Sequence, residues 1–198
     1  MRNNISYLTI ATAITLTALL ASACSPAPAP AASTTVPAIA ASAAAATPTP
    51  GKPAWFGYAL QDARTGESFT INDFAGKVVL VQAMAEWCPG CAAQQNESQA
   101  MAAAQGNRSD LVLVSLDTDL NEDKASLKKY AESFNYDWRF AVSPLEVSRA
   151  LGNLYSAEYL NPPLNPMLII DRRGAVYGLP YGLKDANQLK NTIAQYLQ

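Results

Sequence analysis

The order of apolar and polar positions from Trp55 onward predicts alternating strands and helices. The stretch Lys77–Met84 is almost continuously apolar and rich in valine, as expected for a central strand covered on both faces, and Leu111–Leu116 shows the same pattern. Between these two strands, an Ala- and Gln-rich segment from Pro89 to about Gln105 has high helix propensity. This strand-helix-strand order is typical of an α/β fold.

Weaker patterns on either side complete the predicted sheet. Two short β-prone runs, Phe56–Leu60 and Ser68–Ile71, flank a turn-like segment and predict an N-terminal β-hairpin at the edge of a sheet. Later elements are predicted as a helix at about Glu122–Phe134, a short helix near Leu145–Leu151, a strand Met167–Ile170, a turn Asp171–Gly174, a strand Ala175–Leu179 and a helix Asp185–Leu197. Together these elements predict a three-layer α/β sandwich with a mixed central sheet and helices on both faces.

The N-terminal quarter of the chain has a different composition. Of the 30 charged side chains, 28 follow residue 53, so residues 54–198 are predicted to form the folded domain. Residues 1–23 carry one positive charge, then an apolar stretch and three small residues, which is the pattern of an export signal. Residues 24–53 consist of a cysteine followed by a Pro/Ala-rich segment with seven prolines, which predicts a semi-rigid tether without a core.

Cys24 is the candidate site of a membrane anchor. It directly follows Ala21-Ser22-Ala23, and small residues before a cysteine resemble a bacterial lipobox, in which the cysteine becomes the lipidated N-terminus. The resemblance implies that the protein lies outside the cytoplasmic membrane, on the periplasmic side if there are two membranes, held to the lipid bilayer through Cys24. The same small residues also suit ordinary signal peptidase, so a soluble exported product and an uncleaved anchor are alternatives.

Composition excludes several classes of chemistry. The chain has no histidine, so it contains no His-based triad, His metal site or His proton shuttle. Its net charge is −2 and no basic run is interleaved with aromatic residues, which argues against nucleic acid as a partner.

The candidate chemistry lies at Trp87-Cys88-Pro89-Gly90-Cys91, between the first long strand and its helix. Cysteines at i and i+3 on a first helical turn can form a disulfide, and the free N–H groups of that turn stabilise a thiolate on Cys88. Pro89 suits the first helical position. The same spacing also serves zinc sites and inert structural disulfides, but a zinc site lacks ligands because Cys24 is the one remaining cysteine. We therefore expect redox chemistry and no metal.

Three motifs of residues 54–198 resemble the thioredoxin fold, and most closely the extracytoplasmic TlpA/ResA-like thiol-disulfide oxidoreductases. The motifs are the strand and redox segment Phe74–Val81 with Ala85–Cys91, the proline, strand and turn Asn165–Gly174, and Tyr181–Leu183 before the last helix. The resemblance implies a thioredoxin-like domain that exchanges disulfides with thiol/disulfide proteins and needs no cofactor beyond the Cys88–Cys91 disulfide.

The resemblance also implies roles for individual residues. Cys88 would attack through a mixed disulfide and Cys91 would resolve it. A cis bond before Pro166, with Pro163 and Pro162 as the alternative positions, would turn the Asn165 backbone toward an extended substrate segment above Cys88. Trp87 is by default a core or edge residue, and as the neighbour of Cys88 it is also the candidate for a substrate-facing surface. The direction of exchange depends on the relative stability of the dithiol and disulfide forms; we expect a reductase recharged by a membrane electron-donor protein, with an oxidase as the alternative.

Two positions depart from the pattern of the family. Gln82 stands where thioredoxins have a buried aspartate that assists proton transfer, and Gln94 stands where many TlpA/ResA-like proteins of cytochrome c maturation have an acid. Glu86 is the acid nearest in sequence to the thiols, and we expect it to be a solvated surface carboxylate. The run Asp117–Asp123 begins like an EF-hand loop but lacks its glycine and its final glutamate, so we expect Asp119 or Asn121 to cap the next helix instead.

Three other functions are alternatives. A thiol peroxidase would resemble peroxiredoxins, but Val81 and Ala85 replace the Pro and Thr/Ser that precede their reactive cysteine. A Sco-like copper carrier needs a wider cysteine spacing and a histidine. A lipid-anchored binding module that keeps the fold without turnover is the alternative from a different class.

Overall fold

A mixed five-stranded sheet forms the centre of the molecule. The structure is a computed structural model that describes residues 51–198. The strands in this range are β1 Leu60–Gln61, β2 Ser68–Phe69, β3 Val78–Met84, β4 Leu111–Asp117, β5 Arg139–Val142, β6 Met167–Ile170 and β7 Val176–Gly178. The α-helices are α1 Pro89–Ala104, α2 Lys124–Ser133, α3 Leu145–Leu154 and α4 Ala186–Ala194. The sheet order is β5-β4-β3-β6-β7, with β6 and β7 antiparallel to their neighbours.

Alternate side chains of the central strands pack against two different layers. The side chains of odd-numbered residues in β3 and even-numbered residues in β4 pack against α3 and the N-terminal segment. They form one apolar cluster, which includes Val79, Val114 and Leu151. The opposite positions join α1 and α4 in another, which includes Leu80 and Met101. All seven residues of β3 and of β4 are buried, as a strand covered on both faces requires. The predicted three-layer α/β sandwich is confirmed.

The carboxyl ends of β3 and β4 lie side by side. Met84, the last residue of β3, pairs with Asp117, the last residue of β4, in a parallel ladder. The turn that leads into α1 and the loop that leads into α2 therefore start from the same edge of the sheet. This arrangement brings Cys88 and the acidic run after Asp117 to one end of the domain.

The structure differs from the prediction at the N-terminal hairpin and at one strand that was not predicted. The N-terminal hairpin is present, but its strands contain only two residues each. The first is shortened by a 3-10 turn at Ala54–Gly57, which buries Trp55 and Phe56, and the second by a 3-10 turn at Ile71–Phe74. The hairpin forms its own small sheet, connected to β5 by the bond from Ala63 N to Phe140 O at 2.7 Å. No strand was predicted at β5. This strand has only four residues, and two of them, Phe140 and Ala141, are buried.

The start of α2 also differs from the prediction. Asp123 caps this helix, with its carboxylate accepting hydrogen bonds from the N–H groups of Ala125 and Ser126 at 2.8 and 2.9 Å. Asp119 instead accepts from Asn121 N, so neither of the two predicted residues is the cap. The helix begins two residues later than predicted, which leaves Glu122 in the preceding loop.

Several sequence predictions concern residues 1–50 and lie outside the described residues: the export signal, the lipidated Cys24 and most of the tether. Among residues 51–198, no helix has both the length and the hydropathy needed to cross a bilayer.

Candidate redox site

Cys88 and Cys91 form a disulfide at the N-terminus of α1. Their Cα atoms are 5.2 Å apart, within the usual range for such a bond. Cys88 is the N-cap residue of the helix, Pro89 occupies the first helical position, and the N–H of Cys91 donates to Cys88 Sγ at 3.1 Å. On reduction, this N–H and the positive end of the helix stabilise a thiolate on Cys88.

Burial does not distinguish the two cysteines, since Cys88 is 1% exposed and Cys91 is fully buried. Their polar neighbours do distinguish them. Cys91 Sγ lies 3.3 Å from the carbonyl oxygen of Pro162, an acceptor to which a thiol could donate but which would repel a thiolate. The surroundings therefore favour a thiolate on Cys88 and a protonated thiol on Cys91. The role of the Pro162 carbonyl has no sequence signal, because it depends on the path of the backbone.

The peptide bond before Pro166 is not cis. The described residues contain no cis peptide bond, so that prediction is wrong. Asn165 takes a left-handed conformation with φ 49° and ψ 53°, and its N–H donates to Pro162 O at 2.8 Å. This tight turn directs the chain into β6, and the carbonyl of Pro166 then accepts from Ala83 N at 3.2 Å.

Asn165 nevertheless lies beside the redox motif. A Cβ placed on Gly90 would be 3.4 Å from Asn165 Nδ2, so the asparagine side chain packs against the glycine of the motif. Asn165 Oδ1 is buried and finds no hydrogen-bond partner in the part of the chain that the structure describes. The backbone N–H of Asn165 bonds Pro162, and its carbonyl accepts from Lys184 Nζ at 2.9 Å. The backbone pairing with a substrate that the sequence analysis expected at Asn165 therefore lacks a free donor.

Gln94 connects the redox helix α1 to Lys184, the residue whose side chain bonds the Asn165 carbonyl. Its Oε1 accepts from Lys184 N at 2.8 Å, and its Nε2 donates to Lys184 O at 2.9 Å. Gln94 is fully buried, so both polar ends of its amide are used inside the protein. The residue that departs from the family pattern is thus a structural link across 90 positions of sequence.

Lys184 is a buried cation that the sequence analysis did not single out. Its side-chain nitrogen donates to the carbonyls of Asn165 and Pro180, each at 2.9 Å, and to that of Gly182. Burial lowers the pKa of Lys184 to about 8. Pro180 and Gly182 are close to Lys184 in sequence, whereas the Asn165 carbonyl lies 19 positions away and is brought to the lysine only by the tertiary fold.

Gln82 occupies a buried position under the motif. Its Nε2 donates to the carbonyl of Cys91 at 3.3 Å, which holds the first turn of α1 against β3. An amide cannot titrate, so Gln82 supports the motif without supplying a proton.

Trp87 is the exposed side chain next to Cys88. Its indole is 57% exposed, and its Nε1 donates to Asp119 Oδ2 at 2.6 Å. An aromatic surface fixed at one end by a carboxylate is suited to contact an apolar partner.

Glu86 is not the free surface carboxylate that we expected. It is half-buried, and its Oε1 accepts from Ser126 Oγ at 2.7 Å. Burial raises its pKa, against the lowering effect of the Ser126 hydrogen bond, and the charges of Glu122 and Asp123 raise it further. One carboxylate oxygen from each of Glu86, Asp117 and Glu122 lies within 4.8 Å of the other two. Asp117 was considered above only as the start of an EF-hand-like run; in the structure it ends a buried strand and pairs in register with Met84.

Comparisons with known proteins agree with this architecture. A family profile described as Redoxin matches residues 28–193. Among solved structures, a thiol:disulfide interchange protein of Chlorobium tepidum is 18% identical, with 71% of this chain and 93% of that chain covered and a TM-score of 0.58. No curated protein matches the chain in a sequence search.

Two further solved structures are similar. A secreted Mycobacterium tuberculosis disulfide oxidoreductase homologous to E. coli DsbE is 16% identical, with 70% and 95% of the two chains covered and a TM-score of 0.55. StoA from Bacillus subtilis is 13% identical, with 67% and 92% covered and a TM-score of 0.52. At these identities the likeness shows a thioredoxin-like fold.

Proposed function

The chain belongs to the Redoxin family and is a thiol-disulfide oxidoreductase with a Cys88–Cys91 disulfide, and we propose that it reduces disulfides of other proteins outside the cytoplasmic membrane. The observation that carries this proposal is the different setting of the two sulfurs. A backbone N–H points at Cys88 Sγ and a carbonyl oxygen lies beside Cys91 Sγ. This is the asymmetry that an attacking thiolate and a resolving thiol need.

The proposed reaction has two exchange steps. The Cys88 thiolate attacks one sulfur of a substrate disulfide, forming a mixed disulfide and releasing the other substrate sulfur as a thiolate that takes a proton from water. Cys91 then loses its proton to solvent and attacks Cys88 Sγ, which releases the second substrate thiolate and forms the Cys88–Cys91 disulfide. Two electrons pass from the protein to the substrate. A membrane electron-donor protein would return the pair to the dithiol form.

The substrate-binding surface is proposed from Trp87, Asn165 and Pro166. Trp87 offers the exposed apolar contact beside Cys88, and Asn165 lies against Gly90 within the motif. Because the Asn165 backbone is bonded within the fold, we assign Asn165 and Pro166 to the wall that shapes access to the disulfide.

Location and anchoring are proposed from the N-terminal sequence. Residues 1–23 serve as the export signal, Cys24 carries lipid, and the Pro/Ala-rich segment to residue 53 tethers the domain to the outer side of the membrane. The secreted Mycobacterium tuberculosis oxidoreductase of similar fold supports a place outside the cytoplasm.

Reduction of insulin disulfides tests the proposed function. The purified protein, recharged by a dithiol, should accelerate insulin precipitation well above the rate with the dithiol alone. A protein that keeps its disulfide and fold but gives no acceleration would contradict turnover and favour a binding module. Equilibration with glutathione buffers then gives the direction, since a reductase should have a potential below about −200 mV.

Replacing Cys24 by Ser tests the anchor. We expect the variant to move from the membrane fraction to the soluble fraction, because one lipidated cysteine is the proposed attachment. Cys91→Ser is the matched control, since it removes a different thiol and should leave the protein in the membrane fraction. An unmodified Cys24 at the mature N-terminus, seen by mass spectrometry, would contradict the proposal.

A further inference from the structure

Three carboxylates lie together beside the residues that lead into Cys88. We call Glu86, Asp117 and Glu122 the acid cluster; one oxygen of each lies within 4.8 Å of the other two. Among residues 51–198, none of the three forms an ion pair with a lysine or arginine. Three like charges at this spacing repel strongly, so the cluster needs a proton or a cation to be stable.

Asp117 is the member of the cluster that lacks a partner. The residue is fully buried, and its Oδ1 accepts from Asp119 N at 3.0 Å. Its Oδ2 is buried and has no hydrogen-bond partner among residues 51–198. An ionised carboxylate in this place leaves Oδ2 unsatisfied, whereas a protonated carboxyl turns the same atom into a donor.

Glu122 offers the matching acceptor. Its two oxygens accept from Glu86 N at 2.8 and 3.0 Å, and one of them also accepts from Trp87 N at 3.3 Å. Peptide N–H groups bond best to a carboxylate that is ionised. A proton on Asp117 would therefore let Oδ2 donate toward Glu122, which lies in the same cluster.

We propose that Asp117 is a positioning residue of the exchange reaction, which donates its proton to a hydrogen bond with Glu122, while Glu122 holds the peptide N–H groups of Glu86 and Trp87 in front of Cys88. This inference rests on the proposed function. The proposed residue lies on β4 and acts by positioning the peptide groups before Cys88. It therefore differs from the aspartate of thioredoxins, which would stand at Gln82 on β3 and would transfer a proton directly.

The surroundings of Asp117 favour the protonated form. Burial raises its pKa to about 8, with the charges of Glu122 and Glu86 acting in the same direction, and the N–H of Asp119 opposes them. The other charged or polar groups that face the cluster are Asp119 and Asp123 from the loop before α2, Ser126 and Tyr130 from α2, and the Ser143 N–H bonded to Asp117 O from the end of β5. Lys129 from α2 acts on Asp123. Asp119 and Asp123 accept backbone hydrogen bonds, which lower the pKa of each, so they stay ionised.

Loss of the Asp117 proton should loosen the segment before Cys88. The cluster then carries a third negative charge, and Glu122 loses its donor. Repulsion moves Glu122 away from Glu86 N and Trp87 N, and the added charge disfavours the nearby thiolate. The rate of exchange should therefore fall about threefold to tenfold as the pH rises through the pKa of Asp117, the effect of one unit charge near a partly solvated site.

Asp117→Asn is the informative variant, because an amide keeps the size and the donor but cannot titrate. Carboxyl ¹³C NMR of the purified wild-type protein should show Asp117 titrating far above the ordinary range near 4. The amide protons of Glu86 and Trp87 should shift in the same pH range. In Asp117→Asn, the amide protons of Glu86 and Trp87 should have the chemical shifts that they have at low pH in the wild-type protein. These chemical shifts should no longer change with pH, and the exchange rate should no longer fall at alkaline pH. Asp137→Asn, which changes an exposed acid elsewhere, is the matched control and should keep both pH effects.

Stability gives a second readout of the same proton. A folded-state pKa above the unfolded value means that Asp117 stabilises the fold at acid pH, and that this stabilisation is lost as the pH rises toward about 8. The urea midpoint of the wild-type protein should therefore fall between pH 5 and pH 8 more than that of Asp117→Asn.

Three results would overturn the proposal. If Asp117 titrates near 4, it carries no proton to share with Glu122 at neutral pH. If the exchange rate of Asp117→Asn falls at alkaline pH as much as that of the wild-type protein, Asp117 does not control the reaction. Saturable shifts of the Glu86 and Trp87 amides on adding Ca²⁺ or Mg²⁺ at neutral pH would show a cation site instead. The NMR titration reads Asp117 directly and insulin reduction reads turnover, so failure of the proposed function is distinguishable from failure of this inference.

Discussion

Cys88→Ala is expected to lose insulin reduction by about a thousandfold or more, because it removes the attacking sulfur. Cys91→Ala should still attack and then stop at the mixed disulfide, since no second thiol resolves it. The reason is the geometry of the first turn of α1, where the Cys91 N–H points at Cys88 Sγ and Pro162 O lies beside Cys91 Sγ. The measurement is the insulin assay together with non-reducing mass spectrometry of the products.

Cys24→Ser serves as the control for both cysteine variants. It also removes one thiol, but it should keep the full rate because it leaves the redox pair intact. Mixed disulfides that accumulate on Cys91 in Cys88→Ala, with appreciable turnover, would show that the two roles are reversed.

Gln94→Glu should destabilise the fold by about 2–4 kcal/mol at pH 7.5. The carboxylate can still accept from Lys184 N, but it cannot donate to Lys184 O, and it places a charge in a fully buried site. Once protonated, the introduced carboxyl group can make both hydrogen bonds. Its pKa in the folded protein should be raised by burial, so the lost stability should return as the pH falls toward 5.

Gln99→Glu is the matched control for this variant. It places the same charge on α1, at a residue whose amide bonds Asn135 O at the surface. It should change the free energy of unfolding by less than about 1 kcal/mol. Urea unfolding at pH 5 and pH 7.5 makes the comparison. Equal stability of wild type and Gln94→Glu at pH 7.5 would contradict the structural link between the redox helix and Lys184.

Local sequence patterns were sufficient for the central elements. Apolar runs rich in valine predicted β3 and β4 to within a residue, and Pro89 with the Ala-rich segment predicted α1. Both signals are local, since they depend on propensity and on burial of both strand faces. The short β5 was missed because four residues carry too little pattern.

Contacts distant in sequence explain the errors at the site. Gln94 and Lys184 meet across 90 positions, and Glu122 reaches the Glu86 N–H across 36 positions, so neither link leaves a signal in its own segment. The cis bond expected at Pro166 came from family resemblance, whereas the left-handed Asn165 makes that turn with trans bonds. The cysteine pair was placed correctly because strand, motif and helix are contiguous in the chain.

Alkylation of the reduced protein tests the central claim most directly, because it compares the two thiols in the same molecule. A limiting amount of iodoacetamide at neutral pH, followed by peptide mass spectrometry, gives the relative rates at Cys88 and Cys91. Cys88 should react first, by about tenfold or more, since its thiolate is stabilised at the helix N-terminus. Equal rates, or faster reaction at Cys91, would contradict the assignment of Cys88 as the attacking thiolate.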